Sequence, residues 1–146
     1  SNPFKKILHR GELNMDVILS HTKPITAKEA ARVFESSGIR RPSNDLERIE
    51  RMIKNADIVI GAWLNDHLIG IARAITDYSY CCYLSDLAVD RQYQKRGIGK
   101  ALINYLREQL SDEVALILIA APEAIEYYPK LGFEQNNRTF IIPRRK

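Results

Sequence analysis

The chain has 146 residues, of which 45% are hydrophobic and 27% charged, and this composition excludes a disordered chain and fits one domain with a single core. Lysine and arginine number 22 against 18 aspartates and glutamates, a formal net charge of +4. Such an excess fits an anionic ligand, a nucleic acid or an ordinary basic surface, and does not choose between them. The longest apolar run, Val114 to Pro122, is far shorter than the ~20 residues that cross a bilayer, so no membrane partner is expected.

Residues 1–14 are expected to be a leader or an expression remnant, with Met15 as a candidate native start and a single domain over 15–146. No secretory signal is expected, because no apolar stretch follows Lys5 and Lys6. The two cysteines, Cys81 and Cys82, are adjacent and predict no disulfide framework, which favours a reducing compartment, the cytoplasm. Three histidines without ligand spacing predict no metal site.

The first third of the chain predicts one strand and two helices. In order, these are a first strand over Asp16–Ser20, a helix capped at Thr26 and ended by Gly38, and a second helix capped by Ser43 or Asn44. Glu29 stands three residues after Thr26, as a capping box requires.

The middle of the chain predicts strands. Asp57 to Leu64 and His67 to Thr76 are apolar runs separated by Asn65-Asp66, which indicates a hairpin. Tyr80 to Val89 is a further strand, rich in aromatic and apolar residues.

The last third predicts the strongest helix, which begins near Ile98 and repeats apolar residues with helical spacing. Val114 to Ala120 lacks polar alternation, which is typical of a strand covered on both faces. The remaining predicted elements are a short helix from Pro122 to Gly132 and two closing strands, Phe133–Gln135 and Thr139–Ile142. The fold class is α+β (α/β) with a mixed sheet.

The loop that enters the strong helix carries two glycines, Gly97 and Gly99, among the cations Lys95, Arg96 and Lys100. The first N–H groups of a helix lack intrahelical partners and favour an anion such as a pyrophosphate. A P-loop is not favoured, since Ala101 stands where its serine or threonine belongs and its first glycine is missing. A dinucleotide fingerprint would need a third glycine in place of Leu102. A basic helix start without a ligand is the remaining alternative.

Two blocks resemble the GNAT N-acetyltransferase superfamily. The pattern Gln94-x-x-Gly97-x-Gly99, after a strand that ends Leu87-Ala88-Val89, resembles its acetyl-CoA signature. Ala124 to Phe133, AIEYYPKLGF, resembles its late helix. The resemblance covers 57–133 and implies the GNAT fold, a mixed central β-sheet of about six to seven strands flanked by about four helices.

The resemblance implies acetyl-CoA as co-substrate and no metal. The pyrophosphate would lie on the backbone N–H groups of the loop and helix start, and the pantetheine arm would run beside the strand, which carries a bulge in this family. The cofactor-binding residues so implied are Leu87, Ala88, Val89, Gln94, Lys95, Arg96, Gly97, Ile98, Gly99, Lys100 and Tyr128.

The resemblance also implies catalytic roles. The N–H of Leu87 would donate to the thioester oxygen, and Tyr128 would protonate the departing thiolate. Core packing is the alternative for Tyr128, and packing is expected of Tyr127. Pro129 is expected to kink the late helix. Ala121 replaces an asparagine that many members carry, which puts one pantetheine contact in doubt.

Asp86 is a candidate general base, although strand alternation places it on the face opposite Ser85 and Leu87 unless a bulge intervenes, and a structural pair is the alternative. Arg40 and Arg41 follow the first helix and suit an anionic group on the acceptor, or are solvated loop charges. Tyr80 is a further candidate for the acceptor cleft.

The expected function is transfer of an acetyl group from acetyl-CoA to a primary amine of a small acceptor by direct attack. The alternatives are a protein-amine acetyltransferase and a non-catalytic acyl-CoA-binding module. No nucleic-acid partner is expected, because the helix from Ile98 carries its charges at one end only. The resemblance leaves a homodimer open.

Overall fold

The structure is a computed structural model that describes residues 4–8, as backbone, and residues 16–146. The described elements are strands β1 Phe4–Leu8, β2 Asp16–Ser20, β3 Ile58–Leu64, β4 His67–Thr76, β5 Cys81–Val89 and β6 Ala115–Leu118, and helices α1 Ala27–Ser37, α2 Leu46–Lys54 and α3 Ile98–Glu108. Residues 4–8 pair antiparallel with β2, so the prediction that the first strand is Asp16–Ser20 is wrong. Met15, the candidate start, lies outside the described residues, and a domain over 15–146 stays a prediction.

The strands form one sheet in sequence order, β1-β2-β3-β4-β5-β6. Neighbours are antiparallel except β5 and β6, which are parallel because α3 carries the chain back across the sheet. This mixed α+β architecture confirms the predicted fold class. Among the described residues there are three α-helices and three short 3₁₀ turns, where four helices were expected.

The α1 helix begins as predicted. The Thr26 hydroxyl accepts from the Glu29 N–H at 3.1 Å, the Glu29 carboxylate accepts from the Thr26 N–H at 3.0 Å, and Gly38 ends the helix at φ 89°. The cap of α2 is Asp45, not Ser43 or Asn44. The Asp45 N–H donates to the Pro42 carbonyl at 2.9 Å, so a turn occupies the preceding residues and delays the helix start.

Apolar side chains are buried on both faces of the sheet. One cluster packs α3 against the sheet through residues such as Leu102 and Leu106. The other packs α1 and α2 against the opposite face, with Phe34 and Ile49 fully buried. The C-terminal end of β5 and the start of α3 both pack against the cluster that contains Leu102.

The end of the chain departs from the sequence prediction. The β6 strand has one strand neighbour. Ile117 in β6 and Ile119 just after it are 46% and 53% exposed, so the expected cover on both faces is wrong. The predicted helix from Pro122 to Gly132 is two 3₁₀ turns, Pro122–Ala124 and Tyr128–Leu131. Pro129 has no N–H to extend an α-helix at that point. Residues 133–135 and 139–142 form no strands, because they pair with no edge of the described sheet.

Candidate functional site

A β-bulge lies in the middle of β5. Arg73 pairs with Asp86 and Ala74 pairs with Leu84, so Ser85 is an extra residue on β5. Ser85 and Asp86 therefore both face α1 and α2, where Arg73 contacts both. The prediction that Asp86 lies opposite Ser85 is wrong for this reason, whereas Leu87 does lie opposite Asp86 and packs against the α3 cluster.

Beyond the bulge, β5 has an open edge. Its pairing with β6 ends at Leu84 with Leu118. The Asp90 N–H donates to the Ile69 carbonyl at 2.8 Å, so by alternation the N–H groups of Leu87 and Val89 point away from β4. Within the described residues no strand covers this edge after Leu84. The Leu87 N–H therefore points toward an edge of β5 that no described strand pairs with.

Gln94 binds this edge. Its amide nitrogen donates to the Val89 carbonyl at 2.9 Å and to the Ser37 carbonyl at 3.3 Å. The side chain thereby ties the loop after β5 to the end of α1. The glutamine of the motif thus has a structural contact, which holds the loop that leads to α3.

The start of α3 is shaped for an anion. Lys95 and Gly97 both have left-handed backbone, with φ 64° and 84°. No side chain caps the helix at Gly97, and the first helical bond runs from the Ala101 N–H to the Gly97 carbonyl at 3.0 Å. The N–H groups of the first turn therefore lack intrahelical acceptors. Lys95 and Lys100 are exposed beside them, so the backbone dipoles and the cations reinforce each other.

The two adjacent tyrosines occupy different surroundings. The Tyr127 hydroxyl lies against Gly99, where a Cβ would be 3.0 Å from it and 4.0 Å from Leu87 Cδ2. The Tyr128 ring packs edge-on against Tyr127 and Phe133, at 5.2 and 5.5 Å between centroids. Burial raises the pKa of both phenols, and the neighbouring Tyr127 raises that of Tyr128 further. The sequence predicts only packing for Tyr127, and the signal for its contact is the glycine at position 99, which leaves room for a bulky group.

The three residues predicted to line the acceptor site, Arg40, Arg41 and Tyr80, do not lie together. Arg41 turns inward, with Nε 2.5 Å from Asp86 Oδ1, while Arg40 is exposed. Tyr80 is 78% exposed just before β5, and its carbonyl accepts from Ala115 at the start of β6. It therefore lies at the opposite end of β5 from Leu87, and the structure does not bring the two together.

Among the described side chains, no group of three or more histidines, cysteines, aspartates or glutamates is arranged to hold a metal ion. In the same part of the chain, no helix has the length and apolar character needed to cross a membrane.

Residues 26–133 match the sequence profile of the Acetyltransferase (GNAT) family. This match spans most of the chain, and it agrees with the bulged strand and with the glycine-rich start of α3. The chain therefore belongs to the GNAT family of acetyltransferases.

Similar proteins include an uncharacterized N-acetyltransferase ycf52 of Pyropia yezoensis, 33% identical over 125 residues that cover 81% of this chain and 70% of that protein. The histone acetyltransferase TAP1 of Glycine max is 36% identical over 106 residues, which cover 64% of this chain and 46% of that protein. The chloroplastic GCN5-related N-acetyltransferase 2 of Arabidopsis thaliana is 41% identical over 69 residues, 46% of this chain and 27% of that protein.

The fold is shared with solved structures. A probable acetyltransferase from meticillin-resistant Staphylococcus aureus superimposes with a TM-score of 0.73 at 24% identity, over 88% of this chain and 99% of that one. At this identity the likeness shows the fold alone.

Proposed function

We propose that the chain transfers an acetyl group from acetyl-CoA to a primary amine by direct attack of the amine. The observation that carries the proposal is the open edge of β5 at Leu87, which lies beside the basic start of α3. An extended arm could add to that edge as a strand while a pyrophosphate lies on the free N–H groups of the helix. The thioester supplies the activated acetyl group.

Different residues of the chain would bind different parts of acetyl-CoA. The backbone from Lys95 to Lys100 would hold the pyrophosphate, and the edge of β5 at Leu87 and Val89 would hold the arm, whereas the backbone of Ala88 faces β4. The Leu87 N–H would donate to the thioester oxygen as negative charge develops on it. The Val89 carbonyl already accepts from Gln94, so the arm would bond the edge through the Leu87 backbone and the Val89 N–H.

Tyr128 is the proposed donor of the proton that the departing thiolate takes up. Its pKa is raised by burial, so the phenol stays protonated at neutral pH and can act as an acid. The position of the Tyr127 hydroxyl against Gly99, at the start of α3, makes Tyr127 a candidate contact for the arm. Matched phenylalanine variants of the two residues separate these roles.

Asp86 enters the proposal as the candidate base that takes a proton from the ammonium group. Its contacts support a structural role, because each oxygen is 2.5 Å from an arginine Nε, of Arg41 or of Arg73, and the residue is fully buried. The pH dependence of kcat/KM for Asp86→Asn decides between the roles, at a temperature at which circular dichroism shows the variant folded. Loss of a base removes the acidic limb of the profile, whereas loss of a structural pair lowers activity equally at every pH.

The proposed acceptor is a small amine that carries an anionic group, and Arg40 supports this because it is the exposed cation of the α1–α2 loop. A protein amine is the alternative, and the soybean relative named as a histone acetyltransferase supports it. The test is release of free thiol from acetyl-CoA with a simple alkylamine, free lysine, glucosamine 6-phosphate and a lysine-rich peptide. Turnover of glucosamine 6-phosphate above glucosamine supports the anionic acceptor, and turnover of the peptide alone contradicts it.

A non-catalytic acyl-CoA-binding module is the second candidate function. The two occupied oxygens of Asp86 favour it, because they leave the reaction without an evident base. Binding of coenzyme A without thiol release for any amine would support this candidate and contradict the first.

The proposed location is a reducing compartment, since both cysteines are free. The cytoplasm is the location that the sequence predicts, and the chloroplastic relative supports a plastid instead. Fractionation of the source cells with an antibody to the chain distinguishes the two.

A homodimer stays a prediction, and light scattering of the purified chain tests it.

A further inference from the structure

Two arginines from different parts of the chain meet on two consecutive residues of β5. Arg41 lies in the loop between α1 and α2, and Arg73 lies on β4. Their Nε atoms are each 2.5 Å from one oxygen of Asp86. Arg41 Nη2 also donates to the Ser85 carbonyl at 2.7 Å, and Arg73 Nη2 donates to the Ser85 hydroxyl at 3.0 Å. Both residues of the bulge are therefore held by both arginines.

The bulge decides which way the Leu87 N–H points. Before it, the Asp77 N–H donates to the Cys81 carbonyl, so the odd-numbered residues of β5 face β4. After it, the Asp90 N–H donates to Ile69, so the even-numbered residues face β4. Without the extra residue the strand would keep its first alternation, and the Leu87 N–H would be bonded inside the sheet.

Each nitrogen of the Arg41 guanidinium makes a hydrogen bond within the protein. Its Nε binds Asp86, its Nη2 binds the Ser85 carbonyl, and its Nη1 donates to the Arg40 carbonyl at 2.5 Å. Two of these three bonds join the α1–α2 loop to the bulge. Lysine could not make the same set of contacts, because an ammonium is a single point of charge.

The buried charged cluster of Arg41, Arg73 and Asp86 is not explained by stability alone. Asp86 is fully buried, and a buried ion pair is often no more stable than apolar residues of similar volume. Directed hydrogen bonds to four atoms of two residues do, however, fix one backbone register in a way that apolar packing does not.

We infer that Arg41 is a positioning residue of the transfer reaction. It locks the bulge at Ser85 and Asp86 together with Arg73, and so keeps the Leu87 N–H turned toward the open edge. The inference rests on the proposed function, in which that N–H donates to the thioester oxygen. The α1–α2 loop, which carries Arg41, thereby helps to orient the Leu87 N–H that would donate to the thioester oxygen.

The test compares Arg41→Gln and Arg41→Lys with Arg51→Gln in the full chain. Arg51 is exposed on α2, so its variant loses the same charge without touching the bulge. The readouts are kcat and KM for the amine that gives the highest turnover in the thiol-release panel, the Kd of coenzyme A by calorimetry, and hydrogen exchange at the Ala88 amide, which faces β4.

Arg41→Gln is expected to lower kcat by about 100-fold, the effect of misplacing a reacting group by about 1 Å, and to speed exchange at Ala88. The Kd of coenzyme A should stay near that of the wild type, because the start of α3 is untouched. Arg41→Lys should fall between the wild type and Arg41→Gln, and Arg51→Gln should match the wild type in every readout.

Wild-type kcat and exchange in Arg41→Gln would overturn the inference. So would a rise in the KM for the amine with kcat and exchange unchanged, because Arg41 would then be an acceptor contact. If Arg41→Gln does not fold, Arg41→Lys decides by the same readouts, and wild-type kcat and exchange in that variant would overturn the inference. Failure of the proposed function gives a different result, because the wild type itself would then bind no coenzyme A and release no thiol. Exchange at Ala88 would still show whether Arg41 holds the bulge.

Discussion

The Tyr127 hydroxyl closes over Gly99 at the start of α3, so closely that a Cβ on Gly99 would lie 3.0 Å from the oxygen. Gly97, two residues earlier, has φ 84° and nothing within 4 Å of its Cβ position. The two glycines of the motif therefore serve different needs. Gly97 supplies a left-handed turn, and Gly99 supplies room.

This difference predicts that Tyr127→Phe changes the effect of an alanine at position 99 but not of one at position 97. Gly97→Ala should cost about 1–2 kcal/mol of unfolding free energy from its backbone alone, with or without Tyr127→Phe. Gly99→Ala should be stabilising by about 0.5–1 kcal/mol only in the Tyr127→Phe background, where the hydroxyl is gone. Urea unfolding of the single and double variants measures both. An equal effect of Gly99→Ala in the two backgrounds would contradict the contact.

Tyr128→Phe and Tyr127→Phe form a matched pair for the catalytic assignment. Tyr128→Phe should lower kcat by about 100-fold or more, the usual contribution of a general acid, and leave the Kd of coenzyme A unchanged. Tyr127→Phe should raise that Kd and change kcat less. Steady-state rates and calorimetry give both numbers, and the reverse pattern would move the acid role to Tyr127.

The pH profile adds a separate prediction for Tyr128. Burial raises the pKa of this phenol above its ordinary value of about 10, so it stays protonated as pH rises toward that value. The wild-type kcat should therefore show no loss of the acid between about pH 7 and pH 9. A decline in that range that disappears in Tyr128→Phe would show a lowered pKa and contradict the burial.

Asp77 caps the turn before β5. Its Oδ1 accepts from the N–H groups of Ser79, Tyr80 and Cys81 at 3.0, 2.8 and 3.1 Å, and these bonds lower the pKa of Asp77 to about 2. A lowered pKa contributes stability that is present above the unfolded value of about 3.9 and is lost as pH falls through the folded value.

Asp77→Ala should therefore lose less stability than the wild type between about pH 4 and pH 2. Urea unfolding at the two pH values measures the difference, with Asp112→Ala as the exposed control. The cap would be refuted by an Asp77→Ala variant whose unfolding free energy falls as steeply with acid as that of the wild type.

Asp86→Asn should be among the most destabilising single changes in the chain. It removes the charge that two arginines share in the core, and breaking a buried pair in this way costs about 3–5 kcal/mol. Asp66→Asn is the control, since Asp66 pairs with Lys23 at the surface at 2.6 Å and such pairs are worth about 0–1 kcal/mol. Similar unfolding free energies for the two variants would show that the contacts of Asp86 with the two arginines contribute little to stability.

Local signals predicted the elements that position the site. The capping box at Thr26, the turn at Asn65-Asp66 and the apolar spacing of α3 each depend on neighbours in sequence, and each is confirmed. The cluster around Asp86 could not be predicted in this way, because Arg41 and Arg73 reach it from distant parts of the chain. The bulge that brings Ser85 and Asp86 to one face has no marker in the sequence itself.

Sequence patterns were least informative at the chain end. An apolar run such as Val114 to Ala120 records a preference for burial but not which partner supplies it. In the structure β6 is an edge strand, and Pro129 interrupts the segment that was expected to be helical. The positions of Tyr127 and Tyr128 depend on that interrupted segment, so their difference could not be read from two identical letters.

The central claim is that the open edge at Leu87 and the start of α3 form a site for coenzyme A. Thermal unfolding of the full chain with coenzyme A, acetyl-CoA, NAD and ATP side by side tests it most directly. A ligand at a hundred times its Kd stabilises the folded state by about 2.7 kcal/mol, so the midpoint should rise by several degrees with coenzyme A and acetyl-CoA and stay in place with NAD and ATP. If neither coenzyme A nor acetyl-CoA raises the midpoint, the site does not bind the co-substrate, and the proposed transfer reaction fails with it.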